Sequence, residues 1–204
     1  MYHVTFRGTH REAGLRRGRF LASHGNFILQ NAPFPVTQAR LQFAQQCVPI
    51  YRRFFPAVLQ EIEGLAEGQG CAPQALQAIL FSMYAMPPAS CCSCFAVSNG
   101  AQVFLARNSD FLLALQHWNG NVIYRLDGRC FHFTGNTTAF VEIEDGVNEH
   151  GLAAGLTSVS PGRIQPGLNA GMLLRLMLET CRTVEQALAL ARRVPIASAQ
   201  TLTL

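Results

Sequence analysis

Residues 91–110, Cys91-Cys92-Ser93-Cys94-Phe95-Ala96-Val97-Ser98-Asn99-Gly100-Ala101-Gln102-Val103-Phe104-Leu105-Ala106-Arg107-Asn108-Ser109-Asp110, decide how the chain is read. Two short apolar runs, Ser93–Val97 and Gln102–Ala106, flank Asn99-Gly100, and Asn-Gly between such runs is the strongest short-range hairpin signal. A two-residue type I′ turn at Asn99-Gly100 pairs Ser98 with Ala101. Carried down the ladder, that register sets Cys92 opposite Arg107, Cys94 opposite Leu105 and Cys91 opposite Asn108. Side chains directly opposed share a face with Cβ atoms about 5 Å apart. A guanidinium beside a thiol favours the thiolate. Among three crowded cysteines, the register therefore selects Cys92.

Outward from this hairpin the texture differs on its two sides. Before it the chain reads as helical. A short β-like run, Tyr2 to Arg7, precedes Thr9, which has capping-box spacing to Glu12 and opens a helix reaching Leu21 or beyond. Residues 37–67 carry apolar positions at three- and four-residue steps, with a break or kink expected at Pro49 and Pro56 that divides the stretch into two helices. Pro73 to Tyr84 reads as another short helix, stopped by Pro87-Pro88. After the hairpin, strands are expected at Val122–Leu126, Cys130–Thr134, Ala139–Ile143 and Leu152–Ser158. Leu168–Cys181 reads as an apolar helix, Thr183 to Gln186 as a second capping box, and Ile196–Leu204 as a final strand.

Composition limits the classes. The chain has 204 residues, 49% hydrophobic and only 14% charged, with a mean hydropathy of +0.15. That is enough for a core, with sheets buried on both faces, and it also suits a homodimer interface. The net charge of +4 is carried entirely by arginine; there is no lysine. The only dense basic run is Arg11, Arg16, Arg17 and Arg19, so a nucleic-acid partner is not expected. The N-terminus has no apolar signal region and no stretch is long enough to span a bilayer, so no membrane association is expected. The 7 cysteines do not form the spaced framework of a disulfide protein, which makes a reducing, cytoplasmic setting the default.

On the residues alone, the cysteine cluster supports three readings. It is a nucleophile with its neighbours, a set of small buried hydrophobes, or a metal site. For zinc, His117, His132, Cys130 and Cys181 are the further candidates, but they show no standard ligand spacing, so no metal and no cofactor is expected.

A resemblance bears on this choice. Cys92 to Val97, then Asn99-Gly100, then Ala106-Arg107-Asn108-Ser109-Asp110-Phe111 is similar to the nucleophile hairpin of the N-terminal-nucleophile hydrolases. Within these the likeness is to the acyl-coenzyme A:6-aminopenicillanate acyltransferase branch, relatives of choloylglycine hydrolases, penicillin V acylases and acid ceramidases. Three further stretches match in order: Gly8–Gly18, Tyr51–Pro56 through Glu61–Gly68, and Val147–Leu156. The resemblance implies an α+β fold, a four-layer αββα sandwich. It implies a helical pro-segment over residues 1–91, cleaved but still packed on the core, with residues 92–204 as the N-terminal part of the sandwich domain. Family members extend further and carry a second oxyanion Asn and a later Arg, so the resemblance also implies an incomplete sandwich and an incomplete active site.

The roles it implies are specific. Cys92 matches the nucleophile, released by self-cleavage between Cys91 and Cys92. Arg107 and Asp110 match the residues that position the nucleophile and its amine. Thr157 stands where choloylglycine hydrolases place an oxyanion-hole Asn, a departure that leaves its hydroxyl or backbone N–H as donor. Asn108 and Asn148 are weaker candidates, better read as structural. The expected function is hydrolysis of a linear amide, or acyl transfer from one, through a thioester on Cys92, with a small-molecule acyl-amide substrate. The alternative is an inactive relative that keeps the fold for binding or structure.

Overall fold

The computed structural model describes residues 2–86, 91–110, 116 and 118–204, with Cys91 described by its backbone. Pro87-Pro88, Phe111 and His117 lie outside the described residues. The fold is α+β. Among the described residues seven helices accompany a mixed six-stranded sheet and a separate two-stranded hairpin.

Strand β1 (Tyr2–Gly8) pairs in parallel with β4 (Gly120–Leu126). The sheet then continues antiparallel through β5 (Phe133–Thr137), β6 (Asp145–Asn148), β7 (Ala153–Thr157) and β8 (Thr201–Thr203), in the order β1-β4-β5-β6-β7-β8. The hairpin is β2 (Cys91–Ser98) with β3 (Val103–Asp110). Helices α1 (His10–Ser23), α2 (Ile28–Asn31), α3 (Gln38–Phe54), α4 (Pro56–Gln69) and α5 (Pro73–Ser82) precede it. Helices α6 (Ala170–Thr180) and α7 (Val184–Arg193) follow.

Helix starts follow the local chemistry. Thr9 closes a full capping box with Glu12 on α1. Pro56 sits in the first turn of α4, where its missing N–H costs nothing. Thr183 caps α7 by accepting from Gln186 N, but the Gln186 side chain returns to Arg182 N rather than to Thr183, so the second box is only half formed. Pro49 does not break the chain: α3 runs through it, and the break falls at Phe55 alone.

Helices α1 and α4 cross through glycines. A Cβ on Gly18 would lie 2.5 Å from Leu65 O, and one on Gly68 2.6 Å from Leu15 O. Gly14 against Glu61 O and Gly64 against Arg11 O are tighter still. Gly14-x-x-x-Gly18 and Gly64-x-x-x-Gly68 thus let two backbones touch. This is the physical content of two of the stretches that carried the resemblance.

The sheet is packed along one face and meets the hairpin at β7 on the other. One face carries Phe6, Val122, Tyr124, Phe133, Ala154 and Leu156, packed against Ala13 of α1 and Leu174 and Leu178 of α6. The other face of β7 meets the hairpin at Gly155, whose added Cβ would lie 2.8 Å from Cys94 Sγ. A larger core joins α3, α4, α5 and α6, with Tyr51, Ile62, Leu76, Phe81 and Met172 fully buried.

Three strand expectations need correction. The fifth strand lies at Phe133–Thr137, three residues beyond Cys130–Thr134. Residues 139–143 are not a strand. They form a buried turn in which Phe140 takes a left-handed φ of 60° and gives its carbonyl to Arg17, while Glu142 N returns to Ala139 O. The final strand is only Thr201–Thr203, an edge strand on β7, with Ile196 making an isolated bridge to Leu168.

Candidate functional site

The hairpin forms, but its turn is centred one residue further on. Asn99 pairs with Gln102 by donating its N–H to Gln102 O at 3.2 Å, and the two central residues are Gly100 and Ala101. Only Gly100 has positive φ, at 86°, the requirement at the first central position of a type II′ turn. Asn99 Oδ1 accepts from Ala101 N and Gln102 N and fixes the turn from its side. Moving the centre by one residue moves every facing pair by two. Cys92 therefore faces Ser109, Cys94 faces Arg107, and Cys91 faces Asp110. A shift of two keeps each side chain on its own face. Cys92 and Arg107 remain on the sheet-facing side as diagonal neighbours, which long side chains can still bridge. Arg107 Nη2 lies 3.1 Å from Cys92 Sγ.

Arg107 is clamped on the sheet. Its Nε donates to Leu156 O at 2.7 Å and its Nη1 to Glu144 Oε2 at 3.0 Å, with Asp145 Oδ2 at 3.6 Å. The side chains of Arg107 and Glu144 are only 3% and 4% exposed, so this is a buried pair. Burial works against the Arg107 charge, but the Glu144 carboxylate, with lesser help from Cys92, Tyr84 and Asp145, outweighs it and raises the guanidinium above its ordinary range. Glu144 is itself fully partnered. It accepts from Tyr84 OH at 2.8 Å, from Thr138 N at 3.1 Å, from the Thr138 hydroxyl, and from Ser109 Oγ at 3.4 Å. Ser109 is the residue that faces Cys92, and with Arg107 it gives β3 two contacts to the same carboxylate. Burial first, and then Glu144 and Glu142, push the Tyr84 phenol well above its usual range, so Tyr84 stays a donor.

The expected site residues fall into three groups. Cys92 and Arg107 are together. Thr157 ends β7 next to Leu156, the residue whose carbonyl holds Arg107, and lines an open cavity of about 700 Å³ with Tyr84, Leu156, Arg40 and Gln200. Asp110 and Asn108 are on the opposite hairpin face, where Asn108 Nδ2 donates to Asp110 Oδ1 at 2.5 Å. Asn148 is buried and has spent its amide. It donates to Leu178 O and Cys181 O, closing the end of α6, and accepts from His150 N and Leu152 N.

Sequence reasoning missed Glu144, Tyr84, Ser109, Arg40 and Gln200. The signal for Glu144 was the acidic run Glu142-Ile143-Glu144-Asp145 inside an apolar neighbourhood. Buried acids are rare unless paired, so such a run announces a cation elsewhere.

A second buried polar cluster ties the early helices to the core. Arg175 of α6 donates to both oxygens of Glu61 on α4, at 3.0 and 2.5 Å, to Glu179 at 2.9 Å and to Val141 O at 2.7 Å. Tyr124 donates to Glu61 at 2.8 Å, and His10 of α1 meets Glu179 at 3.0 Å. Among the described residues, His10, Cys130 and Glu179 bring ligand-type atoms within 4.8 Å of one another. Glu179 already spends one oxygen on Arg175 and the other on His10, so its carboxylate is committed within the protein.

An α+β fold that holds one thiol against an arginine anchored by a buried glutamate defines the class of site. Residues 97–204 match the acyl-coenzyme A:6-aminopenicillanic acid acyl-transferase family, and the chain belongs to that family of acyltransferases and hydrolases, within the N-terminal-nucleophile group. The matched region contains Arg107, Asp110, Glu144 and Thr157 and begins five residues after Cys92. No curated protein matches the chain significantly. Among the described residues no helix is long and apolar enough to cross a membrane.

Proposed function

We propose that the chain is a self-processing cysteine amidohydrolase or acyltransferase that cleaves a linear amide through a thioester on Cys92. The observation that carries this reading is the 3.1 Å contact of Arg107 Nη2 with Cys92 Sγ, made by a guanidinium that three other protein groups hold in place. A structural cysteine needs only apolar neighbours. A buried arginine aimed at a thiol sulfur sets up a site where negative charge on sulfur is stabilised.

In this mechanism Cys92 first attacks the carbonyl of Cys91. The peptide C–N bond breaks as the C–S bond forms, and the proton passes to the departing Cys92 nitrogen. Water then hydrolyses this thioester, leaving a Cys91 carboxylate and a free Cys92 amine and thiol. The register puts Asp110 directly across from Cys91, beside the bond that would break, where its carboxylate can hold the new ammonium. An α-amino group titrates near pH 8 and is suited to act as base. It takes the thiol proton as sulfur attacks the substrate carbonyl, and in this reading Thr157 donates to the oxyanion. The amine leaves with that proton, and water or a second amine takes the acyl group from sulfur. Residues 1–91 would remain as a pro-segment on a four-layer αββα core, held by the Glu61–Arg175 ion pair.

Intact mass on purified protein tests the reading. The expected result is two fragments split between Cys91 and Cys92, or a full-length chain that splits on incubation. An uncut chain whose amide hydrolysis is unchanged by Cys92→Ala refutes it.

A further inference from the structure

We infer that Arg17 binds a monatomic anion, a halide such as chloride, in a small cavity between α1 and the sheet. Arg17 and Phe20 of α1, Phe6 of β1, Val122 of β4, Thr137 of β5 and Phe140 contribute to its wall. The site is separate from the thiol cluster and does not depend on the reaction at Cys92.

Arg17 is 6% exposed. Its Nη1 donates to Phe140 O. Its Nε and Nη2 are shut off from water and have no hydrogen-bond partner among the described residues. Phe6 lies under the guanidinium, with the ring centroid 4.5 Å from Cζ, and the Tyr124 centroid is 5.7 Å away. Such rings ease the charge but accept none of the in-plane N–H groups. Burial pulls the Arg17 pKa below its ordinary range, and the Glu61 carboxylate that opposes this is bound through both oxygens to Arg175. A buried cation with idle N–H groups is costly until an acceptor reaches it.

The cavity selects the acceptor. Its volume is about 20 Å³, room for a single atom-sized ligand and too small for a carboxylate or phosphate. Its wall holds no acidic side chain. The Thr137 hydroxyl accepts from Ala139 N and still has its own proton to give. The polar side chains offered to a ligand are therefore donors, and the rest of the wall is mostly aliphatic or aromatic. Water must also place two protons of its own; a halide only accepts. The bound anion would also fasten the turn at Phe140, which Arg17 holds and which leads into Glu144.

Thermal unfolding in sodium chloride and in sodium gluconate at matched ionic strength tests this. Screening is then equal, and gluconate is too large for the cavity. Chloride should raise Tm above the gluconate value, by roughly 5–10 °C at a hundred times its dissociation constant. Arg17→Met should give the same Tm in both salts. Crystals of the parent protein grown in sodium bromide should show an anomalous peak beside Arg17 Nε and Nη2, a readout that holds even where Arg17→Met does not fold. Equal Tm in the two salts, a chloride effect that survives Arg17→Met, or a cavity without bromide overturns the inference.

Discussion

Replacing Gly68 by alanine sets two effects of opposite sign against each other. Glycine inside a helix is worse than alanine by about 1 kcal/mol, so helix propensity alone predicts stabilisation. At the α1–α4 crossing, however, the new Cβ would lie 2.6 Å from Leu15 O, 2.7 Å from Arg19 N and 2.8 Å from Gly18 Cα. Ordinary contact begins near 3.4 Å, so the helices must part by close to an ångström. All three atoms are backbone, and no side chain can turn aside. Overpacking of this kind costs roughly 1–3 kcal/mol, and rigid neighbours put this site at the upper end. The net expectation is about 2 kcal/mol of destabilisation, or a Tm lower by roughly 4–8 °C for a chain of this size. Urea and thermal unfolding followed by circular dichroism would measure it. Glu63→Ala, on the exposed side of the same helix, should stay within about 0.5 kcal/mol of the parent. A Gly68→Ala protein as stable as the parent, or more stable, refutes the backbone-contact account of this crossing.

Other perturbations test the buried charges. Glu142 is fully buried, and among the described residues both its oxygens lack a hydrogen-bond partner; its neighbour Asn169 spends its amide hydrogens on Leu80 O and Met83 O. Burial, reinforced by Glu144, raises its carboxyl well above the usual range. The native state therefore holds a proton that the unfolded chain releases above about pH 4.3, and stability falls as pH rises, by about 1.4 kcal/mol per unit while the group stays protonated. Glu142→Gln should remove that slope and match the parent near pH 4; parallel stability–pH curves contradict the assignment. Arg175→Met strands Glu61 and Glu179 without their cation and should cost about 3–5 kcal/mol, read from denaturant midpoints. Arg107→Met should lower amide turnover by roughly a hundredfold or more through misplacement of the thiol, with a folded circular-dichroism spectrum as control. Unchanged turnover would remove Arg107 from the mechanism.

Much of the site was legible because strand geometry has a period of two. Placing the turn at Asn99-Gly100 was off by one residue, since Asn99 serves the ladder and Gly100 takes the turn. The error moved every pair by two, and the face shared by Cys92 and Arg107 survived it. Glu144 was not legible in the same way. It is 37 residues from Arg107, and the turn that presents it reads as a strand because Phe140, Val141 and Ile143 are apolar and buried. Pattern reports burial there, but Arg17 and the left-handed Phe140 decide the backbone. Pro49 shows tertiary packing overriding a local breaker. Arg17 read as one of a basic run. An arginine in a helix reads as a solvated charge until the fold lays it against a sheet.

Trapping the acyl-enzyme tests the central claim most directly. Hexanoyl p-nitroanilide is mixed with the protein, quenched in acid and analysed by peptide mass. The account predicts a hydroxylamine-sensitive hexanoyl adduct on the peptide containing Cys92, formed with release of p-nitroaniline and absent from Cys92→Ala. Release of p-nitroaniline that continues in Cys92→Ala, or an adduct on another cysteine, would contradict it.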